Sequence, residues 1–100
     1  MKVFKFGGAS VNSVERIRNL GEILRPWAAE KIVVIISAMG KTTNALEKIL
    51  NQFRDGSDYT AELTSLKQFH ASIMDGLFEP GHVVFKNVDN FFVELERRLQ

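Results

Sequence analysis

The hydrophobic positions near the amino terminus form two short, dense runs, and each run predicts a β-strand. The first covers residues 3–6 and is closed by the pair Gly7-Gly8. The second covers residues 31–37 and contains the stretch IVVII, in which no polar residue alternates with the apolar ones. Continuous apolarity of this kind is typical of a strand in a covered parallel sheet. We therefore expect two neighbouring parallel strands, the second of them buried on both faces.

Between the two runs, the spacing of apolar residues changes to that of an α-helix. The residues on this spacing are Val14, Ile17, Leu20 and Leu24. Asn12 fits the N-cap position with Glu15 as its N3 partner, and Pro26 lies near the predicted end. A strand, a helix and a parallel strand form a right-handed crossover, which brings the carboxyl ends of both strands to one edge of the sheet. Ligands of such sheets bind at that edge.

The rest of the chain predicts three more helices. Their apolar stripes are Leu46, Ile49, Leu50 and Phe53, then Leu63, Leu66, Ile73 and Leu77, and finally Val84, Val88, Phe91, Phe92, Leu95 and Leu99. We expect Asn44 and Glu47 to cap the first of these helices, a turn at residues 55–58, and a stop at Pro80-Gly81. The predicted fold class is α/β, with two parallel strands and about four helices.

Composition and charge exclude several classes of function. Thirteen basic and twelve acidic residues give a net charge of +1, which leaves no electrostatic footprint for nucleic acid. The chain has no cysteine, and its two isolated histidines make a poor set of ligands, so we expect no metal site. No segment fits a signal peptide or a membrane-spanning helix, so we expect a cytoplasmic location and no membrane partner.

The first candidate site lies where the first strand meets the following helix. Gly7 and Gly8 lack the Cβ atoms that would keep a phosphate from the main chain, and the next helix would add its positive end. Lys5 shares a strand face with Val3, and a lysine buried there would need an anion such as a nucleotide phosphate. The alternative is an ordinary tight turn, with Lys5 reaching water from the sheet edge. The residues alone leave both interpretations open.

The second candidate site follows the second strand, in the sequence SAMGKTTN at residues 37–44. Its GKT tripeptide imitates the end of a P-loop, but the earlier glycine of that motif is replaced by Ile35, within the predicted strand. A P-loop is therefore excluded. Small donors and acceptors for an anionic substrate are offered by Ser37, Thr42, Thr43 and Asn44. The alternative is that Thr43 or Asn44 only caps the next helix.

Together, the sequence KFGGASV at residues 5–11 and the serine-alanine and threonine-asparagine pairs of residues 37–44 resemble the aspartate kinase family. The resemblance implies a three-layer α/β/α amino acid kinase fold of the carbamate kinase type, with residues 1–100 as the amino-terminal part of the catalytic domain. It also implies that ATP phosphorylates the β-carboxylate of L-aspartate to 4-phospho-L-aspartate, the entry step to lysine, threonine and methionine. ATP would enter with Mg²⁺ as a substrate complex, without any tightly bound cofactor.

The resemblance also implies roles for individual residues. The ATP-phosphate site would comprise Lys5, Phe6, Gly7, Gly8 and Ser10, and the substrate site would comprise Ser37 and Thr43. Lys5 would be catalytic, because it would stabilise charge on the transferring phosphoryl group. Thr43 would contact aspartate, and Ser37 would lie near the reacting carboxylate. Ala9 departs from the threonine of many family members, so a hydroxyl contact from that position is absent.

The resemblance further implies that much of the enzyme lies beyond Gln100, including a substrate-binding glutamate, the adenine pocket and regulatory ACT domains. We therefore expect the 100-residue chain to be inactive alone, and the full-length protein to form a homo-oligomer. Phe91 and Phe92 are expected in a core. In the 100-residue chain alone, we expect their stripe with Leu95 and Leu99 to pair with a second copy or to aggregate. The alternative functions are another amino acid kinase, acting on glutamate, acetylglutamate, carbamate or uridylate, and a non-catalytic ligand-binding domain.

Overall fold

The two apolar runs form a two-stranded parallel sheet in a computed structural model that describes residues 1–100. Strand β1 (Lys2–Phe6) pairs with β2 (Ile32–Ile36), and the register places Lys5 opposite Ile35 and Phe6 opposite Ile36. Both strands therefore end at the same edge of the sheet, as predicted. The chain divides into two compact units, Met1–Thr43 and Asn44–Gln100, and the sheet belongs to the first.

A short 3-10 helix (Gly8–Val11) follows β1 and precedes helix α1 (Val14–Leu24). Ser13 is the N-cap of α1, because its hydroxyl accepts a hydrogen bond from the Arg16 amide at 3.1 Å. The prediction that Asn12 caps this helix was wrong, since Asn12 ends the 3-10 helix instead. A second 3-10 helix (Arg25–Trp27), which contains Pro26, then leads towards β2.

Helix α1 lies on one face of the sheet, where Leu20 and Ile23 line a pocket together with Phe6. The other face is exposed: Val3 retains 62% of its accessible surface and Ile35 retains 49%. The prediction that β2 is buried on both faces was therefore wrong for this chain. The physical reason is that the first unit contains only one α-helix long enough to cover a sheet face.

The remaining helices are α2 (Thr42–Arg54), α3 (Thr60–Leu77) and α4 (Val83–Arg98), and they confirm the predicted α/β class with four helices. The core of the second unit consists of Ile49, Leu63, Leu66 and Leu99, with Ala45, Tyr59, Phe92 and Leu95 packed around it. Ile49 is the most deeply buried, at 2% exposure. An ion pair between Lys67 and Glu96 joins α3 to α4. None of the helices is both long enough and apolar enough to span a bilayer.

The ends of these helices follow the predicted turn signals, with one exception. Gly56 and Gly81 adopt φ values of +73° and +87°, which favour glycine, at the predicted turn and stop. His82 caps α4 by accepting a hydrogen bond from the Val84 amide. The expected cap at Asn44 was wrong, because α2 begins two residues earlier and Asn44 lies inside its first turn.

Only part of the last apolar stripe lies in the core. Phe92 and Leu95 pack against the buried cluster and Leu99 belongs to it, whereas Phe91 is 77% exposed. The prediction that Phe91 is a core residue was wrong. Adjacent residues of a helix do not share a face, so Phe92 turns inward and Phe91 outward. The stripe is therefore divided between the core and the surface of the helix.

Candidate functional site

The two candidate sites are joined by main-chain hydrogen bonds at the carboxyl edge of the sheet. The Ser37 amide donates to the Phe6 carbonyl at 3.0 Å, which extends the strand pairing by one step. The Gly40 amide then donates to the Gly8 carbonyl, also at 3.0 Å. The first loop (residues 7–13) and the second loop (residues 37–41) therefore form one continuous structure, as expected where parallel strands end together.

Lys5 lies on β1, two residues before the first loop, and its side chain is exposed. It projects from the sheet face opposite α1, the face that also carries Val3 and Ile35. The chain's ion pairs are formed by other lysines and arginines. The expectation that burial forces Lys5 to find an anion was therefore wrong. Its charge is instead exposed to solvent, close to the carboxyl edge of the sheet.

The two consecutive glycines have different environments. Gly7 has φ −77° and ψ 172°, values open to any residue, and an added Cβ would meet no atom within 4 Å. Gly8, by contrast, would place a Cβ only 2.9 Å from the carbonyl oxygens of Ala38 and Gly40. Contacts within the chain therefore explain the glycine at position 8 but not the one at position 7. The empty space beside the Gly7 main chain is what close approach of a phosphate requires.

The other predicted phosphate-site residues are tied to the 3-10 helix and the sheet. The Ser10 amide donates to the Gly7 carbonyl, and Ser10 lines a small pocket of about 130 Å³ on the α1 side. Phe6 is buried, with its ring stacked on Phe4 at a centroid distance of 6.5 Å. Its side chain therefore packs against the sheet, and its carbonyl already accepts the Ser37 amide. Helix α1 begins at Val14, after the 3-10 helix that starts at Gly8, and its positive end is capped by Ser13.

In the second loop, the structure separates a folding role from an available hydroxyl. Thr42 is buried, and both its amide and its hydroxyl donate to the Met39 carbonyl, at 3.1 and 2.5 Å. Gly40 supports this turn with a φ of +53°. Thr43 and Asn44 are exposed. Thr42 thus closes the turn, and the Thr43 hydroxyl is left for a ligand. The sequence did not separate the two roles, because the adjacent polar residues Thr42, Thr43 and Asn44 are equally suited to a turn, a helix cap or a ligand contact.

The charge of the two segments suits anions. Residues 5–11 and 37–44 contain the exposed lysines Lys5 and Lys41 but no carboxylate. The structure also places no three of its histidine, aspartate and glutamate side chains where they could hold a metal ion. Ile35 lies within β2, which confirms that this glycine-lysine-threonine sequence is not a P-loop.

Comparison with known proteins gives the family. The sequence model of the amino acid kinase family matches residues 1–85, which include both loops. Aspartokinase 1, chloroplastic, of Arabidopsis thaliana is 38% identical over 72 residues, which is 68% of this chain and 13% of the relative. Aspartokinase 2 of Bacillus subtilis (strain 168) is 42% identical over 55 residues, covering 53% and 14% of the two chains.

The aspartokinase of Bacillus sp. (strain MGA3) is 48% identical over 52 residues, which is 50% of this chain and 13% of the relative. The matched region thus spans only about 13% of the length of these curated relatives. The resemblance in the two loops is confirmed, and the family model covers the segments that form them. The chain belongs to the amino acid kinase family.

Proposed function

We propose that the protein carrying this chain is an aspartate kinase, which transfers the γ-phosphoryl group of ATP to the β-carboxylate of L-aspartate. The observation that carries the proposal is the hydrogen bond from the Gly40 amide to the Gly8 carbonyl. It joins the loop that follows Lys5 to the loop that precedes Thr43, so donor and acceptor groups would meet at one edge of the sheet. The aspartokinase names of the relatives support the choice of acceptor.

In the proposed reaction, an oxygen of the β-carboxylate attacks the γ-phosphorus, the bond to the bridging oxygen breaks, and ADP leaves. Phosphoryl transfer of this kind depends on positioned positive charge and on main-chain amides more than on covalent catalysis. The exposed ammonium group of Lys5 would hold the phosphates and stabilise charge on the transferring group. The open main chain at Gly7 would allow close approach, with Gly8, Phe6 and Ser10 completing the phosphate site.

The acceptor would be held by the second loop and the start of α2. Thr43 is exposed there, and its hydroxyl would contact aspartate, because the neighbouring Thr42 already makes the hydrogen bonds that close the turn. Ser37 is exposed just after β2 and would lie near the reacting carboxylate. The absence of acidic residues from both segments favours an acceptor with two carboxylates over a cationic one.

The test is acceptor-dependent ADP release, measured on the protein at its full natural length. L-aspartate is compared with L-glutamate, N-acetyl-L-glutamate, carbamate, uridylate and no acceptor, and the acyl phosphate is trapped with hydroxylamine as a hydroxamate. We expect turnover and hydroxamate with aspartate only. Turnover with another acceptor would identify the protein as the amino acid kinase that uses that acceptor. Nucleotide binding without any turnover would support a non-catalytic domain.

Three further properties belong to the same proposal. The reaction would be the first step towards lysine, threonine and methionine, and the full-length enzyme would be a homo-oligomer. A cytoplasmic location stays a prediction, since the plant relatives are named chloroplastic and others are bacterial. We also expect residues 1–100 alone to show no aspartate-dependent ADP release, because the matched region spans about 13% of its relatives.

A further inference from the structure

We infer that Gly8 is a positioning residue for the acceptor: its missing side chain lets the second loop dock on the first, and this docking sets the place of Thr43. The inference rests on the proposed kinase function. It assigns to Gly8 a task distinct from that of Gly7, although both belong to the same glycine pair.

The geometry at Gly8 is a backbone-to-backbone contact. A Cβ built there would lie 2.9 Å from the Ala38 oxygen, 2.9 Å from the Gly40 oxygen and 3.4 Å from the Gly40 nitrogen. All three atoms belong to the main chain of the second loop, so no flexible side chain can move aside. Any side chain at position 8 therefore displaces the second loop by roughly half an ångström.

The same contact contains the hydrogen bond that joins the loops. The Gly40 amide donates to the Gly8 carbonyl at 3.0 Å, so a displacement that relieves the clash also weakens this bond. Gly40 lies two residues before Thr42, whose hydroxyl closes the turn at the start of α2 on Met39. A shift of the second loop would therefore pass directly to the first turn of α2, where Thr43 lies.

Gly7 provides a matched control within the same pair. An added methyl group there meets nothing within 4 Å, and its backbone angles suit alanine. Gly7→Ala therefore leaves the two loops joined and fills only the space assigned to the phosphate. The two substitutions add the same methyl group one residue apart, and they differ in whether it meets the second loop or open space.

The experiment compares Gly8→Ala with Gly7→Ala in the full-length protein. For Gly8→Ala we expect kcat/KM for L-aspartate to fall about tenfold, because a reactant displaced by about 1 Å loses about a hundredfold and this displacement is about half as large. KM for ATP should change much less. For Gly7→Ala we expect the main effect on KM for ATP. If both variants raise only KM for ATP, Gly8 belongs to the phosphate site alone and the inference is wrong.

Hydrogen exchange in the unliganded proteins tests the coupling independently of catalysis. Gly8→Ala should accelerate exchange of the Gly40 amide by about tenfold, the factor for loss of one hydrogen bond of ordinary net strength, and Gly7→Ala should not. Unchanged exchange in Gly8→Ala would overturn the inference. If the wild-type protein does not phosphorylate aspartate, the proposed function fails while this measurement still decides the coupling. If Gly8→Ala does not fold, Gly40→Ala takes its place in the experiment. Alanine is strained at the φ of +53° that Gly40 adopts, so this variant also weakens the contact between the loops and should show the same kinetic pattern.

Discussion

Replacing Lys5 by alanine should separate catalysis from stability. Lys5 is exposed and takes no part in the chain's ion pairs, so its loss removes no ion pair and no buried side chain from the fold. If its charge stabilises the transferring phosphoryl group, aspartate-dependent kcat should fall by about 10²- to 10³-fold, or about 2.7–4 kcal/mol of transition-state stabilisation. The midpoint of thermal unfolding should not change.

Lys2 is the matched control, because it is the other lysine of β1 and projects from the opposite face. Its Nζ lies 4.4 Å from the centroid of the Trp27 ring, a cation–π contact worth about 0.5–1 kcal/mol at an exposed site. Lys2→Ala should therefore lower the unfolding temperature slightly and leave turnover unchanged. The assay is coupled ADP release with and without L-aspartate, with thermal unfolding recorded on the same samples. Near-wild-type turnover in Lys5→Ala, or equal losses in the two variants, would refute the role assigned to Lys5.

Three further predictions concern stability. Ile49→Ala should lower the free energy of unfolding by about 2–5 kcal/mol in urea titrations, whereas Leu50→Ala, at 43% exposure, should cost much less; equal effects would contradict the core assignment. Gly21→Ala should raise the free energy of unfolding by about 0.8–1 kcal/mol, because Gly21 lies inside α1 and an added Cβ meets nothing within 4 Å. A lower free energy of unfolding would contradict this prediction. Hydrogen bonds from Thr60 lower the pKa of Asp58 below its ordinary value of 3.8. Wild type should therefore be more stable than Asp58→Ala above pH 3.8, and this difference should vanish as the pH falls through the lowered pKa. A difference that does not depend on pH would contradict the contribution of Asp58.

Much of the fold could be predicted because its signals are local. The run IVVII has no helical alternative of comparable strength, and the stripe through Leu63, Leu66 and Ile73 repeats at helical spacing. The errors arose where two adjacent residues have equal propensity. Asn12 and Ser13 are both good N-caps, and only the length of the intervening 3-10 helix decides between them.

Burial was harder to predict than secondary structure, because it depends on what covers each face. The apolar character of β2 is typical of a strand covered on both sides, yet Ile35 and Ile36 are 49% and 54% exposed in this chain. The same difficulty affected Lys5, whose proposed need for an anion was argued from burial. Lys5 carries its charge at an exposed position, so its proposed role rests on its place near the joined loops.

Within the candidate site, contacts inside the chain divide the motif residues into two groups. Gly8 must be small because main-chain oxygens of the second loop lie where its Cβ would be, and Thr42 is polar because its hydroxyl closes the turn on Met39. No such contact explains the open space at Gly7, the exposed charge of Lys5 or the exposed hydroxyl of Thr43. A ligand must explain the second group if the site is functional. Substitutions in that group should therefore change binding and turnover without changing stability, whereas Thr42→Val should lower stability first.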